Sequence, residues 1–343
     1  MRLLITGAEG FLGKYVVAEA LKRGHEVRAV IRPKNDRSSL PWPHYQSLKS
    51  IELDLQNPEG ISEALENVDA VIHLAAAKEG DYETQFQGTV KTTENLLEAM
   101  KQANVLRLIG ISSFSVFDSR SLKPGTIVTE NFPLEREPYK RDDYARTKLL
   151  QERIFRNFQG QVTILRPGIV YGRDNLWNSH LGAKIKGNLC LGIGNKAILP
   201  LTYVENCAEA IVISAEIPDA IDETFNIVDD NLPTQKQYID KLTQYTTLSP
   251  KLIPISWKAI EFLANTATSF NQKVLKNKLK LPGIFVPAKL YPRFQLSIQY
   301  SNTHPKNVLK WTPKYDLDQS LKRSLGEVDS LKIVQVQSLQ PLE

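Results

Sequence analysis

A chain of 343 residues that is 42% apolar and 24% charged can close a large core, which excludes a disordered or fibrous protein. Its 43 Lys and Arg against 38 Asp and Glu leave a net charge of +5, spread along the chain, so no nucleic-acid-binding stripe is indicated. Cys190 and Cys207 are too few for a disulfide framework or a cysteine-based metal site. With no long apolar leader, and no run of the roughly 18 apolar residues that a membrane-spanning helix needs, a cytoplasmic protein with no transmembrane segment and no metal is expected.

The first half alternates short apolar runs with amphipathic helical stretches, the pattern of a parallel sheet covered on both faces. Strands are expected at Arg2–Thr6, Glu26–Ile31, Ser50–Asp54, Ala70–Leu74, Arg107–Ser112 and Val162–Arg166. Helices are expected at Leu12–Arg23, stopped by Gly24, and at Val90–Gln102 and Tyr144–Asn157. This order builds an α/β fold, a doubly wound parallel sheet with its ligand crevice at the carboxyl ends of the strands. After Gly172 the alternation fades, apart from one strand at Phe225–Val228 that returns to the sheet. The expected division is therefore a dinucleotide-binding domain over 1–172, joined by that strand, and a smaller, mostly helical substrate cap with the C-terminal segment over 173–343. Within the cap, Trp257, Ile260, Leu263, Ala267, Phe270, Val274 and Leu275 recur at helical spacing before Lys273, Lys276, Lys278 and Lys280. Core or dimer packing with a cation-capped end is preferred there to a membrane-surface helix.

Between the first strand and the first helix lies Gly7-Ala8-Glu9-Gly10-Phe11-Leu12-Gly13. Gly7 permits a sharp turn, Gly10 a close approach of backbone to a pyrophosphate, and Gly13 a helix packed near the sheet. The helix N-terminus then faces the phosphates. Such a Rossmann-type turn marks a dinucleotide site that includes Phe11 and Leu12. The end of the second strand should read the adenosine ribose. It carries Ile31 and Arg32 in place of an acid, with Arg28, Lys34 and Arg37 nearby. That favours NADP(H), whose 2′-phosphate Arg32 could pair, with NAD(H) as the alternative. Asp54, followed by Leu55, is placed either to bond the adenine or simply to form a turn.

Tyr144 and Lys148 stand four residues apart on one helix face. A phenol with an ordinary pKa near ~10 is a poor base at neutral pH. A neighbouring ammonium and an oxidised nicotinamide would favour the phenolate and let Tyr144 exchange a proton with a substrate oxygen while hydride moves. Spacing alone proves little, since Tyr45 and Lys49 share it where no nicotinamide should reach. Context decides: the fifth strand ends in Ser112-Ser113, and a hydroxyl there can hold the substrate oxygen beside the phenol. Ser113, Tyr144 and Lys148 are the candidate catalytic set.

These residues resemble the extended short-chain dehydrogenase/reductases, the NAD-dependent epimerase/dehydratase family, over most of the chain. The likeness rests on Thr6-Gly7 through Gly13, His73-Leu74-Ala75-Ala76, Ser112-Ser113 with Val116-Phe117, and Tyr144 with Lys148. It continues through Arg166-Pro167-Gly168, Tyr203-Val204-Glu205-Asn206 and Leu309-Lys310-Trp311-Thr312-Pro313. The resemblance implies Ser113 in the family's serine or threonine position and Leu74, Ala75 and Ala76 along the cofactor. It also implies Pro167 and Gly168 near the nicotinamide, and a homodimer built on the helices at Val90–Gln102 and Tyr144–Asn157. The chain departs from the family at Thr89, where many members have Asn, and at Phe117, where many have Tyr. Phe114 and Ser115 replace the acidic pair of the sugar-nucleotide dehydratases. Gly194-Asn195-Lys196, by contrast, is similar to members that hold nucleotide phosphates. Three functions stay open: a dehydrogenase or reductase of a secondary alcohol or ketone, a nucleotide-sugar epimerase with tightly bound NAD, and a non-catalytic NADP(H)-binding sensor or scaffold.

Overall fold

The computed structural model describes the chain apart from residues 34–39, 43–44, 178–182, 187–188, 194–196, 247–250, 275–297, 327 and 332–343. Seven strands form the central sheet: β1 (Arg2–Thr6), β2 (Glu26–Ile31), β3 (Leu48–Glu52), β4 (Ala70–His73), β5 (Arg107–Ile111), β6 (Gln161–Pro167) and β7 (Thr224–Ile227). All pair in parallel, in the spatial order β7-β6-β5-β4-β1-β2-β3. Chain order reverses on either side of β1, which places the crevice of a doubly wound fold above its carboxyl end. β3 starts before the expected Ser50 because its register follows β2, with Val27 opposite Leu48 and Ile31 opposite Glu52.

A period of two divides the strands between two cores. Leu3, Ile5, Ala70, Ile72, Ile109 and Leu165 face one cluster, beneath α1 (Phe11–Lys22) and α4 (Val204–Glu216). Leu4, Val71, Leu108 and Ile164 face the other, beneath α2 (Thr92–Gln102) and α3 (Asp143–Asn157). Each fully buried aliphatic side chain is worth roughly 1.5–3 kcal/mol, so the sheet is held from both sides. α1 ends as expected: Gly24 adopts φ +81° while its N–H and that of His25 return to the Leu21 and Ala20 carbonyls at 2.9 and 3.0 Å.

Several elements lie outside the sequence expectation. α4 is buried on almost every side and so lacks the amphipathic stripe that marks a helix in sequence. A π-helical turn, Phe86–Lys91, leads into α2. A three-stranded sheet of Ala183–Lys186, Leu189–Ile193 and Lys251–Ile255 accompanies the helices of the second half. Leu309, Trp311 and Leu321 join the first cluster, which therefore draws on both sides of residue 172. The helix Trp257–Lys273 buries Ile260, Ala264 and Asn271 but leaves Phe262, Leu263, Phe270 and Val274 exposed; Lys276, Lys278 and Lys280 lie outside the described residues. Among the described residues, no helix is long and apolar enough to cross a membrane and no group of acids, histidines or cysteines could hold a metal ion.

Candidate active site

At the carboxyl end of β1 the chain turns through Gly7 at φ +66°, and the Gly10 N–H donates to the Gly7 carbonyl at 3.0 Å. A Cβ on Gly7 would stand 2.9 Å from the Ala75 nitrogen, and one on Gly13 would collide with the Gly7 carbonyl. A side chain at Gly7 would force the turn away from the chain after β4, and one at Gly13 would force the helix away from the turn. α1 opens on Gly10 with no side-chain cap, so its first N–H groups stay directed toward the crevice. The opposite wall is Leu74-Ala75-Ala76, fixed to β1 by the Leu74 N–H on the Thr6 carbonyl and the Ala75 N–H on Thr6 Oγ1, both 3.3 Å. These small, bare surfaces fit a pyrophosphate.

Phe11 meets Tyr15 edge-on at 6.0 Å, and Leu12 packs on the first core. Pro167 ends β6, and the Gly168 N–H donates to Ile227 at 3.0 Å. Leu55 is buried in the second core. Asp54 is exposed and its Oδ1 accepts the Gln56 N–H at 3.0 Å, the geometry of a turn.

At the adenosine end, the structure brings in an acid that residue 32 alone does not reveal. Glu9, from the glycine loop, accepts the Arg32 backbone N–H at 2.9 Å and its Nε at 2.5 Å. Arg28 donates to the Ala64 carbonyl at 2.8 Å, while Lys34 and Arg37 lie outside the described residues. The end of β2 itself carries no acid, as expected, and the carboxylate beside it comes from the glycine loop.

The two serines after β5 diverge. Ser112 donates to Glu152 at 2.6 Å within a buried group that includes Arg166. Ser113 caps the short turn Phe114–Val116, accepting the Ser115 N–H at 3.1 Å, and that turn packs against the helix Asp143–Asn157, which carries Tyr144. α3 delivers Tyr144 in its first turn, ahead of which Asp142 accepts the Ala145 N–H at 3.2 Å. Burial pushes the Tyr144 phenol above its ordinary range, with Asp142 adding to the shift and Ser113 opposing it. The expected depression by a neighbouring ammonium is not what the geometry gives, because Lys148 turns elsewhere.

Lys148 donates to the Ile111 carbonyl at 2.6 Å and to Gln151 Oε1 at 2.5 Å. Burial, and then the charge of Lys78, brings the ammonium down to about 7, with Glu152 pulling the other way. Behind it runs a chain of hydrogen bonds whose direction is fixed. Thr93 spends its one proton on the Thr89 carbonyl at 2.5 Å, so it must accept from Gln151 Nε2 at 2.9 Å and from His73 Nε2 at 3.0 Å. His73 Nδ1 then accepts from Thr6 at 2.7 Å. His73 is thus neutral with its proton on Nε2, in line with a pKa pushed down to about 3 by burial and by Lys148. Thr89, the departure from the family's Asn, accepts the Ala77 N–H at 2.9 Å and makes no bond to Lys148.

Sequence reasoning missed Gln151 and Glu9. Gln151 lies three residues beyond Lys148, a spacing that shares a helix face and could have revealed it. Glu9 carries no such signal, since its reach depends on how the loop crosses β2.

The family model described as NAD dependent epimerase/dehydratase family matches residues 3–228. The chain belongs to that family. Among its epimerase/dehydratase relatives, the 3-beta-hydroxysteroid dehydrogenase of Mycolicibacterium neoaurum is 29% identical over 231 residues, 63% of this chain and 61% of that protein. The sterol-4-alpha-carboxylate 3-dehydrogenase, decarboxylating, of Bos taurus is 32% identical over 232 residues, 63% of this chain and 60% of that protein. The match thus spans about three fifths of each of these relatives. The solved structure of UDP-glucuronic acid 4-epimerase from Bacillus cereus in complex with NAD superimposes with a TM-score of 0.69 at 20% identity, covering 98% of this chain and 100% of that one. It shares the fold.

Proposed function

We propose that the chain is an NAD(P)-dependent oxidoreductase that moves hydride between a nicotinamide and a secondary alcohol or ketone carbon, with Tyr144 as the acid/base. The observation that carries this is the placement of Ser113 and Tyr144 at the carboxyl edge of the sheet, where the turn that Ser113 caps packs against α3, with a glycine turn at the carboxyl end of β1. Two hydroxyls converge there on the position of a substrate oxygen. Held above its ordinary range, the phenol keeps its proton at neutral pH and can donate it to a ketone oxygen; the reverse transfer serves alcohol oxidation. Ser113 holds the same oxygen against developing charge. Lys148, through Gln151, ties the helix of Tyr144 to the Leu74-Ala75-Ala76 wall. The cofactor, bound along Gly7, Gly10, Phe11, Leu12, Gly13, Leu74, Ala75, Ala76, Pro167 and Gly168, with Arg32, Asp54 and Leu55 at the adenosine end, supplies or accepts the hydride.

The reading extends to a cytoplasmic homodimer with the dinucleotide on residues 1–172 and the substrate enclosed by 173–343. The 3-hydroxysteroid and sterol activities named for the relatives support a substrate with a ring alcohol. Phe114, stacked on Tyr300 at 5.7 Å and meeting Phe117 at 5.3 Å, continues the Ser113 segment as carbon surface. Net redox is therefore preferred to epimerisation of a nucleotide sugar.

Tyr144→Phe tests the proposal. Oxidation of NADH or NADPH with a panel of cyclic ketones should fall by about a hundredfold or more, while the variant still binds the reduced cofactor. Unchanged turnover would remove Tyr144 from the chemistry. Stoichiometric NAD in the purified protein, with no net redox on any substrate, would favour the epimerase.

A further inference from the structure

We infer that Arg141 is a positioning residue, which keeps the Ser113 hydroxyl in register with Tyr144 by clamping the turn after β5 to the start of α3. The inference rests on the acid/base reading proposed above. Arg141 follows the short turn Pro138–Lys140 and stands directly before Asp142, the residue that caps α3. It is therefore three residues from Tyr144 along the chain. Its side chain reaches the other segment. Nη1 donates to the Phe117 carbonyl at 3.0 Å and Nη2 to the Ser115 carbonyl at 3.4 Å. Both acceptors belong to the turn that Ser113 opens and Phe117 closes. One side chain thus spans the two segments that bear the candidate hydroxyls.

The grip passes on to the hydroxyl itself. Ser115 is held at its carbonyl by Arg141, and its own N–H donates to Ser113 Oγ at 3.1 Å. That bond occupies one lone pair of the hydroxyl. The O–H proton and the second lone pair are left for a substrate oxygen and a neighbouring phenol. With the turn released at Ser115, Ser113 would regain its choice of rotamers and the hydroxyl would no longer point one way. A planar guanidinium restrains the turn at two carbonyls, which the single point charge of a lysine would not do.

Stability alone does not account for this residue. The Arg141 side chain is 10% exposed, and that of Glu135, its carboxylate partner at 3.4 Å, is wholly buried. Taking two charges out of water is costly, and a pair of apolar residues would often serve packing as well or better. Arg141 Nε and Ser115 Oγ, moreover, are both buried and make no hydrogen bond among the described residues. A buried polar group left unpaired costs stability again. Breaches of this kind belong where function asks for orientation, and here the two segments oriented are those of Ser113 and Tyr144.

A double-mutant cycle tests the coupling, read as steady-state kcat and KM of the full-length protein with NADH or NADPH and the cyclic ketone it reduces fastest. Ser113→Ala and Arg141→Met should each lower kcat by about tenfold to a hundredfold, with little change in the KM for the ketone. In the doubly substituted protein the losses should not multiply: once Ser113 is alanine, Arg141→Met should cost less than about threefold further. Should Arg141→Met fail to fold, Arg141→Lys carries the same cycle, since it keeps the charge beside Glu135 and loses the fork. Its loss should be smaller and again vanish when Ser113 is alanine. Losses that multiply in full would make Arg141 a general support of the fold and overturn the inference. An unchanged kcat in the folded Arg141 variant, or full turnover in Ser113→Ala, would overturn it too. If the unaltered protein reduces no ketone, the oxidoreductase reading itself falls and takes this one with it; the other failures leave Tyr144 in its role.

Discussion

Lys148 is placed where burial disfavours its charge. Its ammonium is brought down to about 7 by burial and by Lys78, far below the value of about 10.4 expected of an unfolded lysine. Between those two values the unfolded chain binds the additional proton, so stability contributed at this site rises with pH from about 7 to about 10 and is withheld below pH 7. Lys148→Met removes both the charge and its penalty. We expect the variant to lose turnover, and its melting temperature relative to the unaltered protein to be most favourable near pH 6 and least favourable near pH 9. Thermal unfolding across that range checks it; a difference independent of pH would mean that the ammonium carries no buried cost. The placement of Ser113 after the fifth strand, and of Tyr144 and Lys148 on one helix, was legible from spacing joined to strand context. The direction of Lys148 was not, because spacing places a residue on a face without naming the acceptors that await it. Nor could residue 32 disclose its partner, since Glu9 meets it across a turn and through space.

At the scale of an element, α3 explains how one helix supports both chemistry and packing. Tyr144, Lys148, Gln151 and Phe155 run along one face of the helix at i, i+4, i+7 and i+11, with Glu152 beside them, and all but Tyr144 are buried. There Glu152 meets Arg166 at 2.5 Å and Phe155 enters the second core. Arg166, Ser112 and Arg156 together hold the Glu152 carboxyl down to about 2 against its burial, so that charge pair persists at neutral pH. Gln151 joins the two regions, accepting from Lys148 and donating to Thr93 and to the Ala75 carbonyl at 3.3 Å. Gln151→Leu keeps the bulk and removes all three bonds. We expect kcat to fall between about tenfold and a hundredfold, the scale of a misplaced reacting group. KM should change little, and the pH profile should move with the lysine. Steady-state kinetics over pH 6 to 9 would reveal it; a lower melting temperature with an unaltered profile would reduce Gln151 to a packing role. Helix boundaries and the Gly24 stop could be read from sequence because local chemistry sets them. The π-helical turn before α2 and the enveloped α4 could not, since backbone irregularity and burial on all sides leave no periodic trace.

In the whole molecule, the first half of the chain and the C-terminal segment close one core. Trp311 is 1% exposed among residues of α1, α4 and the sheet. Further along, Asp329 accepts from Tyr15 of α1 at 3.0 Å and pairs with Arg173, while Arg323 clasps Glu205 of α4 at 2.9 and 3.0 Å. The helix that follows the glycine turn is thus supported by residues more than three hundred positions away. The Trp311 indole N–H has no hydrogen-bond partner among the described residues, so Trp311→Ala would leave no polar group stranded and would report packing alone. Removal of a buried aromatic of this size costs about 3–5 kcal/mol. We expect urea unfolding of the variant to shift to lower denaturant by that amount while remaining a single transition in which tryptophan emission, far-ultraviolet ellipticity and cofactor binding are lost together. An early transition that exposes the C-terminal segment while the dinucleotide stays bound would show the opposite arrangement: a self-sufficient nucleotide-binding domain with the remaining chain merely resting on it. The shared core predicts against that, because Trp311 lies in the same buried cluster as the side chains of β1 and α1.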